Sequence, residues 1–130
     1  MSEGSGPARR EDYLRHILEA AEKVARYVAA MDKPAFLADE KTRDAVIRNL
    51  EIVGEAARRL IEEYPEFAQQ HAEVPWKKIY AMRDRLSHGY FEINLDVVWD
   101  TIKVSLPELK EQARRLLGEI PEARSPSEQG

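Results

Sequence analysis

The feature that most constrains the fold is the spacing of apolar residues, which recur every three or four positions along most of the chain. In the first stretch, this stripe consists of Leu14, Ile17, Leu18, Ala21, Val24, Ala25, Val28 and Met31. Residues with this spacing lie on one face of an α-helix, where they can be buried together. The sequence has only six glycines and few of the short turns that connect hairpin strands. It therefore predicts an all-α protein.

Prolines and capping residues divide the pattern into four predicted helices, over residues 10–31, 39–64, 75–88 and 95–120. Pro34 and Pro65 are expected to end the first and second helices, because proline removes a backbone donor and clashes inside a helix. Pro75 suits the first turn of the third helix, and Asn94 is a favourable N-cap for the fourth. The predicted architecture is an up-down four-helix bundle with a short third helix.

Three further residues carry specific structural expectations. Gly54 lies inside the second helix, where glycine costs up to about 1 kcal/mol relative to alanine, and this indicates close packing against another helix. Pro107 lies inside the fourth helix and is expected to kink it. Gly89 follows the third helix and suits a left-handed cap. The sequence thus predicts one tight helix contact and one bent helix.

Length and composition place the chain among single-domain proteins. The helical domain is predicted over residues 10–120, with disordered polar tails at 1–9 and 121–130. The absence of cysteine excludes a thiolate metal site. Neither a signal-peptide pattern nor an apolar run of the roughly 20 residues that span a membrane is found. These features favour a cytoplasmic protein without a membrane partner. The net charge of −4 argues against tight, sequence-independent binding of nucleic acid, although a local basic patch can outweigh it.

The segment MRDRLSHGYF, residues 82–91, concentrates groups that bind phosphate or transfer protons. Asp84 and His88 are four residues apart, so they share a helix face, and the carboxylate can fix the tautomer of the imidazole. Arg83 and Ser87 share the neighbouring face. Arg83 and His88 converge only if the helix end unwinds or if two copies of the chain face each other.

Arginine and histidine together suit cleavage of RNA through its ribose 2′-OH. Histidine serves as acid or base near neutral pH, and an arginine fork matches two phosphate oxygens. The reaction needs both an acid and a base, so the single histidine of this segment favours a symmetric homodimer. The alternative is structural, because basic side chains near a helix C-terminus also complement the helix dipole.

Four segments of the chain resemble, in order, the HepT-like toxins of the HEPN superfamily. RDRLSHGY resembles their R-x4-H-x-Y motif, and EVPWKKIYAMRDRLSHGYF resembles the entry into the motif helix. RDAVIRNLEIVGEAARRL and NLDVVWDTIKVSLPELKEQ resemble the second and last helices, and DYLRHILEAAEKVARYV fits the first. The resemblance covers about residues 11–120.

The resemblance implies a four-helix bundle that dimerises with its motif helices apposed. It also implies a metal-independent endoribonuclease toxin, paired with a small nucleotidyltransferase antitoxin that silences it by adding AMP to the motif tyrosine. Arg83 and His88 match the catalytic positions, Asp84 the polar position after the arginine, and Tyr90 the modified tyrosine. The substrate implied is RNA, and no metal or organic cofactor is expected.

Several residues allow two interpretations. Glu55 could pair with Arg83 or Arg85, as a structural contact or as a group that orients the arginine. Arg58 and Arg59 are expected to be solvated helix charges, or else part of a basic rim. His16 and His71 are expected to have no metal role, and Trp76 and Trp99 are expected in the core rather than as stacking surfaces for bases. For the whole protein, the alternative function is that of a non-catalytic helical partner and AMP acceptor of a nucleotidyltransferase.

Overall fold

Helices make up nearly all of the chain that the structure, a computed structural model, describes, namely residues 7–88 and 93–119. The α-helices are α1 (Pro7–Tyr27), α2 (Lys33–Ala38), α3 (Glu40–Glu63), α4 (Pro65–Gln70), α5 (Trp76–His88), α6 (Leu95–Asp100) and α7 (Leu106–Glu119). A π-helical turn, Thr101–Ser105, joins α6 to α7. Since no strand occurs within these residues, the all-α prediction is confirmed.

The long helix α3 lies at the centre of the packing. It contacts both α1 and α5, and α1 in turn packs against α7. Each helix contributes the apolar stripe that its sequence contains, and the largest fully buried side chains are Leu14, Ile17, Val24, Phe36, Val46, Leu50, Val53, Leu60, Val74 and Leu116. Burial of these stripes, at about 25 cal/mol per Å² of apolar surface, is the main force that holds the helices together.

Two segments predicted as connectors form short helices instead. Pro34 and Pro65 were expected to stop helices, but each lies in the first turn of a new one, α2 and α4. A proline there loses nothing, because the first N–H groups of a helix have no intrahelical partner. The side chain of Asp32 caps α2 by accepting a hydrogen bond from the Ala35 N–H at 3.0 Å. Phe36 on α2 is fully buried, so this helix contributes to the core.

The boundaries of the longer helices differ modestly from those predicted. Helix α1 spans Pro7–Tyr27 rather than residues 10–31. Pro75 precedes α5 instead of opening it, and its carbonyl accepts the hydrogen bond from the Ile79 N–H at 3.0 Å. Asn94 caps α6 as predicted, accepting hydrogen bonds from two backbone N–H groups. Gly89 lies outside the described residues.

The irregularity predicted at Pro107 takes the form of a π turn just before it. The Leu106 N–H bonds to the Thr101 carbonyl five residues back, instead of the usual four. Pro107 has no N–H to donate, and its ring would clash with the carbonyl four residues earlier in a regular α-helix. A wider turn at this point accommodates the proline while the helix continues into α7, and such π turns are among the recognised causes of helix bending.

The tight contact predicted at Gly54 is confirmed. A Cβ atom added to Gly54 would lie 2.0 Å from the Cβ of Arg83 and 3.1 Å from its Cα, far inside van der Waals distance. The absence of a side chain at Gly54 therefore lets the backbones of α3 and α5 approach closely at the base of Arg83. This packing contact sets the position of the Arg83 Cβ atom, independently of the polar interactions of its guanidinium.

The described helices include none that is long and apolar enough to cross a membrane. The core is instead built from amphipathic helices whose outer faces carry the charged residues.

Trp76 is buried, as predicted, and its indole N–H donates to the carbonyls of Ala68 and His71, both at 3.1 Å. Trp99 is only partly buried and packs against Phe36, with ring centroids 5.3 Å apart. Tyr80 on α5 is partly buried.

The substitution Gly54→Ala is expected to lower the free energy of unfolding by about 1–3 kcal/mol, the usual cost of overpacking a tight contact. This loss exceeds the roughly 1 kcal/mol by which alanine favours a helix over glycine. Gly118→Ala is the matched control, because nothing lies within 4 Å of the added methyl group, and it should leave the protein equally or more stable. Urea denaturation of both variants tests this contact, and equal stabilisation by the two substitutions would contradict it.

Candidate functional site

Helix α5 presents Arg83 and Ser87 toward α3. The Arg83 guanidinium lies 3.8 Å from the Glu55 carboxylate, and the Ser87 hydroxyl donates a hydrogen bond to Glu51 at 3.3 Å. Because residue numbers rise along α5 as they fall along α3, the two helices are antiparallel. Of the two pairings left open for Glu55, the structure contains the one with Arg83.

Glu55 is the anionic centre of a cluster of arginines. It accepts hydrogen bonds from Arg58 at 2.6 and 3.1 Å and from Arg59 at 3.2 Å, in addition to its contact with Arg83. The hydrogen bonds from Arg58 are the main cause that lowers the pKa of Glu55 below its usual value, with smaller contributions from Arg59 and Arg83. Glu55 is therefore ionised at neutral pH, and it forms ion pairs with Arg58 and Arg59, whose side chains are partly exposed.

Arg83 and Ser87 line a surface cavity of about 330 Å³ between α1, α3 and α5, here called the basic groove. Its lining consists of Arg9, Tyr13, His16, Arg48, Glu51, Ile52, Glu55, Ala56, Arg59, Arg83 and Ser87. Four arginines against two glutamates give this lining a formal charge of +2, in a chain whose net charge is −4. The chain therefore has a local basic patch despite its negative net charge. This patch surrounds Arg83, the arginine of the motif.

The opposite side of α5 faces a second depression, here called the apolar groove, which separates α5 from α6 and α7. It comprises adjoining cavities of about 500 and 280 Å³, and both are lined by Met82, Arg85, Val97 and Thr101. Asp84 lies in the larger of the two. Val97, which lines both cavities, is 53% exposed. Helix α5 is thus a ridge between a basic and an apolar groove, with Arg83 on one side and Asp84 on the other.

His88 is the last residue of α5, so the helix persists far enough to place it on the same face as Asp84, as the spacing requires. Its side chain and the whole of Tyr90 lie outside the described residues. The structure therefore positions Arg83, Asp84, Arg85 and Ser87 of the motif segment, and the pairing of Asp84 with His88 stays a prediction.

Arg9, His16 and Arg48 line the basic groove, although the motif pattern alone does not include them. His16 is exposed, as expected of a surface residue, but the surface on which it lies is this groove. A signal was present in the spacing, since Arg9, Tyr13 and His16 occupy one face of α1. The spacing does not determine how α1 is rotated relative to α5, because this rotation depends on how both helices pack on α3.

The described residues contain no group of three or more His, Asp or Glu side chains that could hold a metal ion. His71 lies apart from the motif, with its ring 4.7 Å from that of Phe67.

The chain is similar to known ribonuclease sequences over most of its length. Residues 17–116 match the profile of the family described as "Ribonuclease HepT-like". The "Putative RNase TTE0752" of Caldanaerobacter subterraneus subsp. tengcongensis is 40% identical over 105 residues, which cover 81% of this chain and 91% of that protein. The "Probable ribonuclease HepT" of Thermococcus cleftensis is 40% identical over 106 residues, 82% of this chain and 94% of that protein. No solved structure matches the chain significantly.

The substitution Glu55→Gln is expected to lower the free energy of unfolding at pH 7 by about 0.5 kcal/mol, the range found for partly exposed ion pairs. Because the pKa of Glu55 is lowered in the folded state, its contribution is present above the usual glutamate value and is lost as the pH falls through the folded value. The difference between wild type and variant should therefore shrink as the pH is reduced from about 5 toward 3.

Chemical denaturation at pH 7 and at pH 3 measures this change. Glu62→Gln is the control, because the Glu62 carboxylate contacts Arg58 but makes no ion pair with Arg83 within the described residues. It should cost less than Glu55→Gln, and an equal loss at both pH values for Glu55→Gln would contradict the role of its charge.

Proposed function

The chain belongs to the family of HepT-like ribonucleases, and from that membership we propose that it is a metal-independent endoribonuclease toxin whose site is centred on Arg83 and His88. Arg83 binds and stabilises the scissile phosphate, and His88 transfers protons. Asp84 orients His88, and Ser87 supports the site from the Arg83 face. Arg85 supplies a further positive charge from the opposite side of α5.

The observation that carries this proposal is the position of Arg83. Its Cβ is held by the close approach of the backbone at Gly54, and its guanidinium lies 3.8 Å from an ionised Glu55 in a groove whose lining has a net positive charge. An arginine whose side chain is packed at its base loses less conformational freedom when it binds a phosphate than a fully exposed one. It also remains charged at all relevant pH values, as the stabilisation of a pentacovalent phosphorane requires.

The proposed reaction needs no group beyond the RNA and the protein side chains. A neutral imidazole accepts the proton of the ribose 2′-OH while that oxygen forms a bond to phosphorus. The bond from phosphorus to the 5′ oxygen of the next nucleotide breaks, and that oxygen takes a proton from an imidazolium. The products are a 2′,3′-cyclic phosphate and a 5′-hydroxyl end, with the charge on the phosphoryl oxygens held by Arg83.

We propose that the active form is a homodimer with the motif helices apposed, because the reaction uses two imidazoles and each chain has one at this position. The apolar groove supports such an arrangement. It runs along α5 on the side of Asp84 and Arg85, and it is lined by the partly buried Met82 and the exposed Val97. Apolar surface next to the motif helix is stabilised when a second copy covers it.

Regulation is proposed to occur at Tyr90, through addition of AMP by a cognate nucleotidyltransferase that acts as the antitoxin. Tyr90 follows His88 by two residues, so a modification there lies beside the proposed site. The added phosphate carries negative charge and would compete with RNA for Arg83 and Arg85. Bulk next to the end of α5 would add steric exclusion of the RNA chain.

Purified protein with unmodified Tyr90, confirmed by intact mass, is expected to cleave total tRNA in excess EDTA and to leave 2′,3′-cyclic phosphate ends. His88→Ala and Arg83→Gln should each reduce the cleavage rate by at least about 100-fold, the usual contribution of a general acid or base or of a phosphate-binding cation. Arg26→Gln is the charge-matched control, because Arg26 is an exposed residue in the last turn of α1 and lies outside the basic groove.

Cleavage by wild type and by Arg26→Gln, but not by the two site variants, would establish the proposed chemistry. Full cleavage by His88→Ala would assign the reaction to other residues. If the wild type is inactive while its Tyr90 is unmodified, the second candidate function gains support, that of an AMP-accepting partner of the nucleotidyltransferase. The overall charge of −4 is the observation that favours this second candidate.

The dimer is tested by placing a charge in the apolar groove. Val97→Glu is expected to convert a dimer into a monomer in sedimentation velocity and to abolish cleavage of tRNA, because a buried carboxylate without a partner is strongly unfavourable. Val104→Glu is the matched control, since Val104 is 68% exposed and lines neither groove. A Val97→Glu protein that stays dimeric would place the interface elsewhere.

A further inference from the structure

The basic groove extends well beyond Arg83, and its far end has no part in the reaction proposed above. Arg48 lies at that end on α3, and His16 lines the same cavity from α1. Along α3, Arg48 is seven residues from Glu55, the partner of Arg83, which corresponds to roughly 10 Å of helix. One phosphate group is too small to contact both arginines, so Arg48 would meet a different part of a bound molecule.

The arginines of the groove differ in how firmly they are held. Arg58, which borders the groove, and Arg59 within it are hydrogen-bonded to Glu55 and to neighbouring glutamates. Arg48 makes only a 3.9 Å contact with Glu51, and 72% of its side-chain surface is accessible. A weakly paired, exposed guanidinium can exchange its carboxylate contact for a phosphate at little cost.

Glu51 connects this end of the groove to the motif helix. One of its carboxylate oxygens faces Arg48 and the other accepts the hydrogen bond from Ser87, one residue before His88. Arg48 therefore lies beside the C-terminal end of α5, on the side of that helix that carries Arg83 and Ser87. A polyanion that runs through the groove from Arg83 would pass Arg48 on that side.

We infer that Arg48 forms a second phosphate subsite that binds single-stranded RNA on one flank of the scissile phosphate. The inference rests on the proposed nuclease function, whose scissile phosphate lies at Arg83. Positive groups spaced along the groove, Arg83 from α5 and Arg48 from α3, match a ligand with repeated charges better than a single small anion. Proteins usually bind single-stranded nucleic acid with positively charged side chains that lie along its phosphate backbone.

The subsite is tested with a fluorescent oligouridylate that is fully 2′-O-methylated and therefore cannot be cleaved by attack of its 2′ oxygens. Arg48→Gln is expected to weaken binding about tenfold and to reduce the slope of log affinity against log salt by about 0.7, the value for one phosphate contact on a single strand. Arg26→Gln removes the same charge from a surface outside the groove and should change neither quantity. Wild-type affinity and slope in Arg48→Gln would overturn the subsite.

Cleavage kinetics separate this inference from the function on which it rests. Arg48→Gln should raise the KM for a long RNA severalfold while leaving cleavage of a dinucleotide unchanged, because a dinucleotide has a single phosphodiester. Arg83→Gln should impair cleavage of both substrates. If the wild type cleaves neither, the nuclease proposal fails, and the binding measurement with the methylated oligonucleotide still decides whether Arg48 holds RNA. An equal loss on both substrates in Arg48→Gln would assign it to the site at Arg83 instead of to a flanking one.

Discussion

The backbone contact between α3 and α5 at Gly54 is the constraint on which the candidate site depends. With no side chain at Gly54, the Cβ of Arg83 occupies space that any other residue would fill. The close approach brings Glu55, the next residue, within reach of the Arg83 guanidinium. It also aligns Ser87 with Glu51 one turn further along. A single steric condition thus determines the geometry of the polar contacts on this face of α5.

The sequence predicted the helical nature of the chain, the tight packing at Gly54 and the cap at Asn94, because each follows from local chemistry. The two short helices were missed because Pro34 and Pro65 were interpreted as stops, although proline is equally suited to the first turn of a helix. An irregularity at Pro107 was predicted. Its form is a wider turn just before the proline, and this depends on which carbonyl accepts the hydrogen bond from the Leu106 N–H.

Only the part of the site that lies on a single helix, α5, could be predicted from the sequence. The motif residues of α5 could be named from their spacing and from the resemblance to a family. The basic groove adds Arg9, His16 and Arg48, which belong to helices distant in sequence, and their meeting depends on the rotation of each helix about its axis. For the same reason the choice between Arg83 and Arg85 as the partner of Glu55 stayed open until the packing of α3 against α5 was known.

The π turn between α6 and α7 sets the rotation of the side chains about the helix axis in the last part of the chain. The buried residues Val98, Ile102 and Leu106 are separated by steps of four, as are the groove-lining residues Val97, Thr101 and Ser105. In a regular α-helix, two such steps would rotate a side chain by about 80° around the axis. A wider turn reduces this drift, so one stripe stays in the core while the other stays along the groove beside α5. Loss of one residue from this turn would shift both stripes together and turn the face beside α5 toward a different neighbour.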